Sequence, residues 1–308
     1  MNVLITGGSG FLGQALVARW IEDPDVERIC VYSRGEYAQA TMRQATSDPK
    51  EKMRWFIGDV RDRARLERAM EGVDLVIHAA ALKRVEVGEY NPDEMAKTNV
   101  LGTMNVLEAA QAAGVKRLVY VSSDKACQPL NCYGATKLVG EKLVLGADVT
   151  NGALGPRTAV VRYGNVSGST GSIIPTWLEM LTAGAMKVPV RNPIATRFWL
   201  DVDEAVNLVR WTLTHMEGGE LVVPLMPAYR VCDLAAAMGA EMDLQDGLGN
   251  GEKLDEAMIA PLESQAFRYV PPYLVAGGLA KRVETNMAGV YTYTLTVDEI
   301  RERLKALP

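Results

Sequence analysis

The amino-acid sequence predicts an α/β fold: a Rossmann-like doubly wound parallel sheet with a smaller, irregular α/β lobe. Short apolar runs alternate with helical patterns from the start of the chain, which is typical of βαβ units. The first apolar run leads directly into a glycine-rich turn, GGSGFLG. A later run, Leu118 to Val121, changes at once into the polar residues 122–125, and open α/β sheets bind ligands beyond such strand ends.

The composition is typical of a soluble globular protein. Of the 308 residues, 48% are apolar and 23% are charged, and the net charge of −5 predicts no nucleic-acid partner. The first predicted strand begins at Asn2, and no apolar run approaches the ~18 residues of a membrane span. We therefore expect a cytoplasmic protein without a signal peptide or membrane contact. The four cysteines lack a CxxC spacing, which predicts reduced thiols, and we expect no metal site.

The glycine-rich turn predicts a dinucleotide site. A strand at Asn2 to Thr6 precedes it, and a helix at Gln14 to Glu22 follows it. Gly7, Gly10 and Gly13 recur every third residue, which suits a sharp turn, a close approach to a pyrophosphate and close packing of helix on strand. We expect the cofactor contacts in this turn to be Gly7, Ser9, Gly10, Phe11, Leu12 and Gly13.

The second predicted strand, Arg28 to Tyr32, ends at Ser33 and Arg34. NAD-binding proteins usually carry an acidic residue at this strand end, whereas a hydroxyl beside a guanidinium suits the 2′-phosphate of NADP. The sequence therefore favours NADP over NAD, with contacts from Ser33, Arg34 and Glu36. The alternative is that Arg34 is a solvated surface arginine next to Glu36.

The third and fourth predicted strands extend the cofactor site. The third, residues 55–60, places Asp59 and Val60 near the adenine, and residues 61–71 predict a charged helix. The fourth, residues 74–81, runs into small residues that let backbone pass close beneath a dinucleotide.

Four residues at or after this fourth strand have separate interpretations. Ala79 and Ala80 are expected cofactor contacts, and His78 is predicted to be a core residue. Lys83 is either a cofactor or substrate contact or a solvated loop lysine, and the sequence leaves both open.

A long helix is predicted at Pro92 to Ala113, with Asn99 in its middle. An asparagine is poorly suited to a helix interior unless its amide has a partner. We therefore expect Asn99 to have a specific partner and assign it to the cofactor site.

Side chains suited to proton transfer converge beyond the fifth predicted strand. Ser123, Asp124 and Lys125 follow this strand at once. A helix that opens at Tyr133 places Tyr133 and Lys137 four residues apart on one face. A phenol near a cation is a candidate general base for a secondary alcohol. The sequence therefore indicates proton and hydride transfer, with Tyr133 as the base and Lys137 as the residue that lowers its pKa.

The rest of the chain predicts a second lobe, because a Gly/Ser-rich run at 164–172 marks where the chain leaves the sheet. Two further strands are predicted, at 158–163 and 221–223. Helices are predicted at 173–183, 202–215, 232–238, 252–259 and Thr296 to about 306. Asp201 and Glu204 form a predicted capping box at the start of the helix 202–215. We assign 1–165 to an NADP-binding domain, to which 196–224 and the C-terminal helix return. Residues 166–195 and 225–295 form the predicted substrate-binding lobe.

Several of these motifs together resemble the extended short-chain dehydrogenase/reductase superfamily. They are the Gly-x-x-Gly-x-x-Gly turn, Asp59-Val60, the His-Ala-Ala-Ala run, Asn99 and Tyr-x-x-x-Lys. More narrowly, YSRGEYAQ, FIGDVRD, HAAALKRV, EYNP, SSDKA, YGATK, VRYGNV and TRFWL resemble the configuration-inverting UDP-N-acetylglucosamine 4,6-dehydratases, which open the pseudaminic acid pathway. The resemblance runs from Met1 to about Leu225 and again through 251–254.

The resemblance implies a reaction and its components. Tyr133 would take the C4 hydroxyl proton, with Ser123 hydrogen-bonded to the same oxygen. Lys125, deprotonated by a desolvated site, would remove the C5 proton, and a protonated Asp124 would release the C6 hydroxyl as water. The cofactor would be a tightly bound and recycled NADP, and the substrate a UDP-N-acetylhexosamine. A homo-oligomer is expected, because relatives pair through the helices that bear Tyr-x-x-x-Lys.

Two departures from the resembled family concern the substrate. The family usually reads GSRGS where this chain has GSTGS at 168–172, and Arg-Pro-Gly-Glu-Lys where it has Gly-Asn-Gly-Glu-Lys at 249–253. Arginines expected near the substrate diphosphate are therefore replaced by Thr170 and Gly249. We expect the substrate contacts to be Lys83, Asn165, Arg191 and Arg230, with the two arginines as candidate replacements.

Two other functions stay open from the sequence. A nucleotide-sugar epimerase would give no 6-deoxy product, and a reductase would consume added NADPH. A dinucleotide-sensing protein without turnover can dispense with Asp124, Lys125, Tyr133 and Lys137, all of which are intact here.

Overall fold

The structure of the protein is a computed structural model that describes residues 1–152, 155–249, 251–278 and 293–307. Its strands are, in chain order, β1 Asn2–Thr6, β2 Arg28–Ser33, β3 Met53–Ile57, β4 Leu75–His78, β5 Arg117–Val121, β6 Arg157–Val161, β7 Lys187–Val190, β8 Thr196–Phe198, β9 Glu220–Pro224, β10 Ala228–Arg230, β11 Glu241–Leu244, β12 Arg268–Val270 and β13 Tyr273–Ala276. Its α-helices are α1 Phe11–Trp20, α2 Glu36–Ala45, α3 Arg63–Met70, α4 Val85–Tyr90, α5 Pro92–Ala96, α6 Gly102–Ala112, α7 Cys132–Thr150, α8 Ile173–Thr182, α9 Val202–His215, α10 Val231–Ala237 and α11 Val297–Lys305.

In the described part of the chain, nine strands form one sheet in the order β12-β13-β9-β6-β5-β4-β1-β2-β3. Seven neighbouring strands of this sheet, β3, β2, β1, β4, β5, β6 and β9, pair in parallel. At the edge beyond β9, β13 and β12 pair antiparallel. The chain winds outward from β1 to β3, returns to β4 beside β1, and winds outward in the other direction. The predicted doubly wound parallel sheet is confirmed, and its strand order reverses between β1 and β4, where such sheets bind ligands.

Helices cover both faces of the sheet, which explains why its inner strands are almost wholly apolar. On one face α9 packs against α1 and against strands β5 and β6. On the other face α6 packs between α3 and α7. The capping box predicted for α9 is present, with Asp201 and Glu204 bonding to each other's backbone N–H groups. The cap predicted at Thr296 is also present and opens α11.

A second, smaller core lies outside this sheet. It joins α8, β7, α10 and the C-terminal helix α11 around Trp177, Trp199 and Leu234. Ile300 of α11 is fully buried in it, and α11 packs on α10. The prediction that the C-terminal helix returns to the NADP-binding domain is therefore wrong, because its apolar face is buried by the smaller lobe.

Three other expectations are corrected by the packing. The helix predicted at 252–259 is an irregular segment, and residues 268–276 of the predicted lobe form β12 and β13 of the large sheet. The helix predicted at Pro92 to Ala113 is interrupted by a π-helical turn, Lys97–Leu101. The part of the predicted lobe at 279–292 lies outside the described residues.

Candidate active site

A cleft of about 440 Å³ opens at the carboxyl ends of the central parallel strands. Predicted site residues that line it are Gly7, Ser9, Gly10, Phe11, Leu12, Gly13, Ser33, Arg34, Val60, Ala79, Ala80, Lys83, Ser123, Lys125, Tyr133, Lys137 and Asn165. Predicted site residues outside this lining, all within the described ranges, are Glu36, Asp59, Asn99, Asp124, Arg191 and Arg230. The sheet edge therefore brings most of the predicted cofactor and catalytic residues into one cavity.

The glycine-rich turn forms one wall of this cleft from backbone. Gly7 has φ +68°, and a Cβ there would lie 2.9 Å from the backbone of Ala80. A Cβ on Gly13 would overlap the carbonyl of Gly8. The first residues of α1 line the cleft, so the positive end of the helix dipole faces it. These features fit the pyrophosphate of a nicotinamide dinucleotide.

The end of β2 offers a hydroxyl and a guanidinium to the same cleft. Ser33 Oγ accepts hydrogen bonds from Ser9 Oγ at 2.8 Å and from Gln39 Nε2 at 2.9 Å, which leaves its own proton free to donate. Arg34 is half-exposed, and its Nη1 lies 3.7 Å from Asp59 Oδ2. Glu36, at the start of α2, is exposed and lies outside the cleft.

Asn99 has the partner that its position requires. Its Oδ1 accepts from the Leu82 N–H at 2.8 Å, and its Nδ2 donates to the Leu82 carbonyl at 3.0 Å. The same amide donates to Thr136 Oγ1 on α7 at 3.1 Å. Asn99 lies in the π-helical turn Lys97–Leu101, and it ties the loop after β4 to α7. Its effect on a cofactor is therefore through the position of that loop.

The proposed catalytic side chains meet where a 3₁₀ turn, Asp124–Ala126, packs against the start of α7. Ser123 Oγ donates to Asp124 Oδ1 at 2.8 Å, and Lys125 Nζ donates to the same oxygen at 3.1 Å. Asn131 caps α7 by accepting from the Gly134 N–H at 2.7 Å. The turn and the helix thus hold the hydroxyl, the acid, the amine and the phenol side by side.

Tyr133 is buried, and burial raises the pKa of its phenol. A hydrogen bond with Ser123 and the ammonium of Lys125 act in the opposite direction. Lys137 Nζ instead donates to the Val121 carbonyl at 2.6 Å and lies 3.9 Å above the Tyr120 ring. The expectation that Lys137 lowers the pKa of Tyr133 is not confirmed by this geometry.

Burial lowers the pKa of Lys137 to about 7, with Glu141 acting in the opposite direction. Burial also disfavours the charged form of Lys125, but the carboxylates of Asp124 and Glu256 outweigh it and raise the pKa of Lys125 above its usual value. Lys125 is therefore an ammonium in this site. Lys125 can act as a base only after it gives up this proton, and Glu256, which the sequence did not reveal, lies 3.5 Å from its Nζ and favours the ammonium.

The sequence profile of the polysaccharide biosynthesis protein family matches residues 3–276. The chain belongs to this family. The resemblance to extended short-chain dehydrogenase/reductases predicted from the motifs is thereby confirmed. Among the described residues, no helix combines the length and the apolar character that crossing a bilayer requires.

Similar proteins and similar solved structures match between 85% and 99% of this chain. UDP-N-acetylglucosamine 4,6-dehydratase (inverting) from Campylobacter jejuni subsp. jejuni is 42% identical over 264 residues, which are 85% of this chain and 78% of the relative. UDP-glucose 4-epimerase from Rickettsia canadensis is 34% identical over 99% of this chain and 96% of its own. The X-ray structure of Pen from Bacillus thuringiensis has a TM-score of 0.90 at 33% identity, covering 99% and 98% of the two chains.

A more distant neighbour supports the fold alone. The dTDP-glucose 4,6-dehydratase DesIV from Streptomyces venezuelae, solved with NAD and TYD bound, has a TM-score of 0.78 at 22% identity. It covers 99% of this chain and 96% of its own. The extended dehydrogenase/reductase architecture is thus common to dehydratases and epimerases.

In this family member a buried arginine, Arg162, links α7 to the irregular segment 251–263. Its guanidinium is fully buried and makes paired hydrogen bonds of 2.8 and 2.6 Å to Glu141 on α7. It also donates to the Met258 carbonyl at 2.7 Å and to Glu263 at 2.9 Å. Glu141 in turn accepts from Ser122 Oγ at 2.6 Å. An arginine directly after the apolar run of β6 was the available sequence signal for this network.

The two arginines predicted to contact a diphosphate lie elsewhere. Arg191 is 3.3 Å from Glu252, Arg230 makes a 2.7 Å bond to Asp233, and both side chains are more than half exposed. The prediction that either one lines the site is therefore wrong in this structure, because each is held by a neighbouring carboxylate. Asn165 does line the cleft.

Other cations lie closer to the loop that lacks the expected arginine. Lys83 lines the cleft, its Nζ donates to the Thr170 carbonyl at 3.0 Å, and burial together with Arg84 lowers its pKa. Arg84 lies beside Gly171, where a Cβ would be 3.6 Å from its Nη2. Two basic side chains from the loop after β4 thus reach the segment 168–172.

Proposed function

We propose that this protein is a nucleotide-sugar 4,6-dehydratase that inverts C5 and acts on UDP-N-acetylglucosamine or a related nucleotide sugar. The observation that carries the proposal is the meeting of Ser123, Lys125 and Tyr133 in one cleft with the glycine-rich turn, with the buried Asp124 hydrogen-bonded to Ser123 and Lys125 behind the cleft wall. The Campylobacter jejuni relative, an inverting UDP-N-acetylglucosamine 4,6-dehydratase, supports the same reaction class.

The cofactor proposed for the cleft is NADP. A bound nicotinamide dinucleotide accepts a hydride at the start of this reaction and returns it at the end, so the reaction has no net redox change. Gly7, Gly10 and Gly13 would leave room for its pyrophosphate, and Ser33 and Arg34 would hold a 2′-phosphate by a donated hydroxyl proton and a charge-assisted contact.

Tyr133 is the proposed base for the C4 hydroxyl. Its phenol is buried at the start of α7 and lines the cleft together with Ser123, so both groups would meet the same substrate oxygen. The ammonium of Lys125 favours the phenolate form that this step requires. Lys137, fixed on the Val121 carbonyl, would then serve mainly to orient ligands in the cleft.

Asp124 and Lys125 are the proposed acid and base for loss of water. Transfer of one proton over the 3.1 Å between Lys125 Nζ and Asp124 Oδ1 makes a carboxylic acid and a neutral amine together. The amine would remove the C5 proton, which the C4 ketone acidifies, and the acid would protonate the C6 oxygen so that it leaves as water. C5 would finally take up a proton with inverted configuration.

The substrate diphosphate is assigned to the side of the cleft near 168–172. Lys83 and Arg84 come from the loop after β4 and reach this segment, and Asn165 lines the cleft next to it. These residues would replace the arginines that this chain lacks at Thr170 and Gly249. The predicted lobe formed by 166–195 and part of 225–295 would then cover the sugar nucleotide.

A UDP-sugar 4-epimerase is the second candidate, because the Rickettsia canadensis relative with that name matches 99% of this chain. Epimerisation needs removal and return of hydrogen at C4 alone. Epimerisation would give the ion pair of Asp124 and Lys125 no step to catalyse. The presence of this pair therefore favours dehydration.

The test is incubation of the purified protein with UDP-N-acetylglucosamine in deuterated water, followed by mass spectrometry of the nucleotide sugar. Dehydration predicts loss of one water and gain of one solvent deuterium at C5. A Tyr133→Phe variant is the matched control and should give no product. A product of unchanged mass and altered C4 configuration would identify an epimerase. No reaction with a panel of nucleotide sugars would refute both enzymes.

A further inference from the structure

Glu256 brings a buried carboxylate from the irregular segment 251–263 to the Asp124–Lys125 pair. Its Oε1 lies 3.5 Å from Lys125 Nζ, its Oε2 lies 3.6 Å from Lys253 Nζ, and its side chain is 5% exposed. Oε2 is buried and accepts no hydrogen bond from the described residues. A buried carboxylate that faces two ammonium groups without full hydrogen bonding contributes little to stability, and such groups call for a functional explanation.

Contacts from distant parts of the chain hold Glu256 in this position. On one side of the segment, Asn131 Nδ2 donates to the Gly251 carbonyl at 2.9 Å and Lys253 Nζ donates to the Cys127 carbonyl. On the other side, the Met258 carbonyl accepts from Arg162 at 2.7 Å. The segment is thus fastened to the residues that precede α7 and to the buried arginine that follows β6. The approach of Glu256 to Lys125 is a built feature of the fold.

We propose that Glu256 is a positioning residue of the dehydration step: it directs the Lys125 amine and controls how readily that amine gives up its proton. This inference rests on the proposed function, in which Lys125 must alternate between ammonium and neutral amine. Two carboxylates approach Lys125. That of Asp124 comes from the same 3₁₀ turn, and that of Glu256 comes from the distant segment 251–263.

The two carboxylates have different tasks in this arrangement. The proton that leaves Lys125 goes to Asp124, because Asp124 must carry a proton to the C6 oxygen. Glu256 keeps its negative charge throughout, so it holds Lys125 in place and opposes the early loss of its proton. The other charged or titratable groups that face this pair include the phenols of Tyr133 and Tyr229 and the ammonium of Lys253.

A direct test measures the protonation of Lys125 without turnover. Competitive acetylation of the full-length protein as a function of pH, read by peptide mass spectrometry, gives the reactivity midpoint of Lys125. Glu256→Gln removes a negative charge but keeps the side-chain shape, so the midpoint should fall by about one unit or more. Asp255→Asn is the matched control, since Asp255 is exposed and bonds to Thr196 Oγ1, and it should leave the midpoint unchanged.

A second measurement follows the pH dependence of turnover. In Glu256→Gln the alkaline limb of the kcat/KM profile for dehydration, where the pair loses the proton that Asp124 must carry to the C6 oxygen, should shift to lower pH, while the maximal rate falls because the amine is less well directed. Glu256→Asp keeps the charge at a longer distance, so it should recover part of both effects and also serves if Glu256→Gln folds poorly. If Glu256 had a merely structural role, its replacement would lower kcat/KM by the same factor at every pH and would leave the midpoint of the pH profile unchanged.

The outcomes separate this inference from the proposed function. If the wild-type protein dehydrates no nucleotide sugar, the function is refuted, and the acetylation midpoints still decide the role of Glu256 toward Lys125. If dehydration occurs but neither Glu256→Gln nor Glu256→Asp moves the midpoint or the alkaline limb, the inference on Glu256 is overturned and the function stands.

Discussion

Replacement of Arg162 by methionine should destabilise the protein strongly. Arg162 directly follows β6, and its guanidinium is fully buried between Glu141 and Glu263. Methionine fills much of the same volume but leaves both carboxylates without their partner. Glu263 is 26% exposed and can regain water, whereas Glu141 is 1% exposed and cannot. Most of the expected loss of stability therefore comes from the uncompensated charge of Glu141.

The size of this effect follows from the burial of the pair. Breaking a buried ion pair by removing one partner costs about 3–5 kcal/mol. For 308 residues the entropy of unfolding near the midpoint is about 0.65 kcal/mol/K, so Tm should fall by roughly 5–8 °C. Adding Glu141→Gln removes the stranded charge, and the double variant should be more stable than Arg162→Met alone.

Differential scanning calorimetry or thermal unfolding followed by circular dichroism measures these shifts. Arg157→Met is the matched control, because Arg157 begins β6, the strand that Arg162 directly follows, but is exposed, and its effect should stay within about 0.5 kcal/mol. The reasoning would be refuted if Arg162→Met lowered Tm no more than Arg157→Met. It would also be refuted if Glu141→Gln and Arg162→Met lowered Tm additively, since a coupled pair cannot behave so.

Three further predictions test other parts of the cleft. Arg34→Asp should shift the preference from NADP towards NAD by about tenfold or more, measured as the ratio of the two dissociation constants, and an unaltered ratio would contradict the 2′-phosphate assignment. Asn99→Leu should destabilise the protein by about 2 kcal/mol and weaken dinucleotide binding, because the Leu82 N–H and carbonyl lose their partners; unchanged urea unfolding would exclude this role. Lys137 has a pKa of about 7 in the folded protein and near 10.4 when unfolded, so its contribution to stability is largest above pH 10 and is lost as pH falls to 7. The stability of wild type relative to Lys137→Met should therefore rise between pH 7 and 10, and a flat difference would show that Lys137 is not desolvated.

Local chemistry was enough to predict the nucleotide-binding part of the site. The glycine-rich turn could be recognised because its glycines are required by close backbone contacts. Gly13 approaches the carbonyl of Gly8 in the same turn, and Gly7 approaches Ala80 just after the neighbouring strand β4. Asn99 was recognisable because an amide inside a helix needs a partner, although the π-helical turn that accommodates it has no sequence signature. The capping box at Asp201 was equally local.

Contacts between distant segments could not be predicted in the same way. Glu256 and Lys125 are far apart in the sequence, and segment 251–263 has no regular pattern that gives its direction. For the same reason the predicted positions of Arg191 and Arg230 were wrong. Their charge suggested contact with a diphosphate, but each forms an ion pair with a nearby carboxylate, Glu252 and Asp233 respectively. Net charge near a site therefore does not identify its ligand contacts.

The two lysines of the cleft are tuned in opposite directions by their surroundings. Lys137 is buried over the Tyr120 ring, and the carboxylate within its reach, Glu141, is already paired with Arg162, so burial dominates and lowers its pKa. Lys125 faces two carboxylates that have no such arginine, and they dominate over burial. Groups with pKa values pushed apart in one site can take different proton-transfer roles. Arg162 thus acts indirectly on the cleft: because it pairs with Glu141, burial dominates at Lys137 and lowers its pKa, whereas the carboxylates beside Lys125 raise the pKa of that lysine.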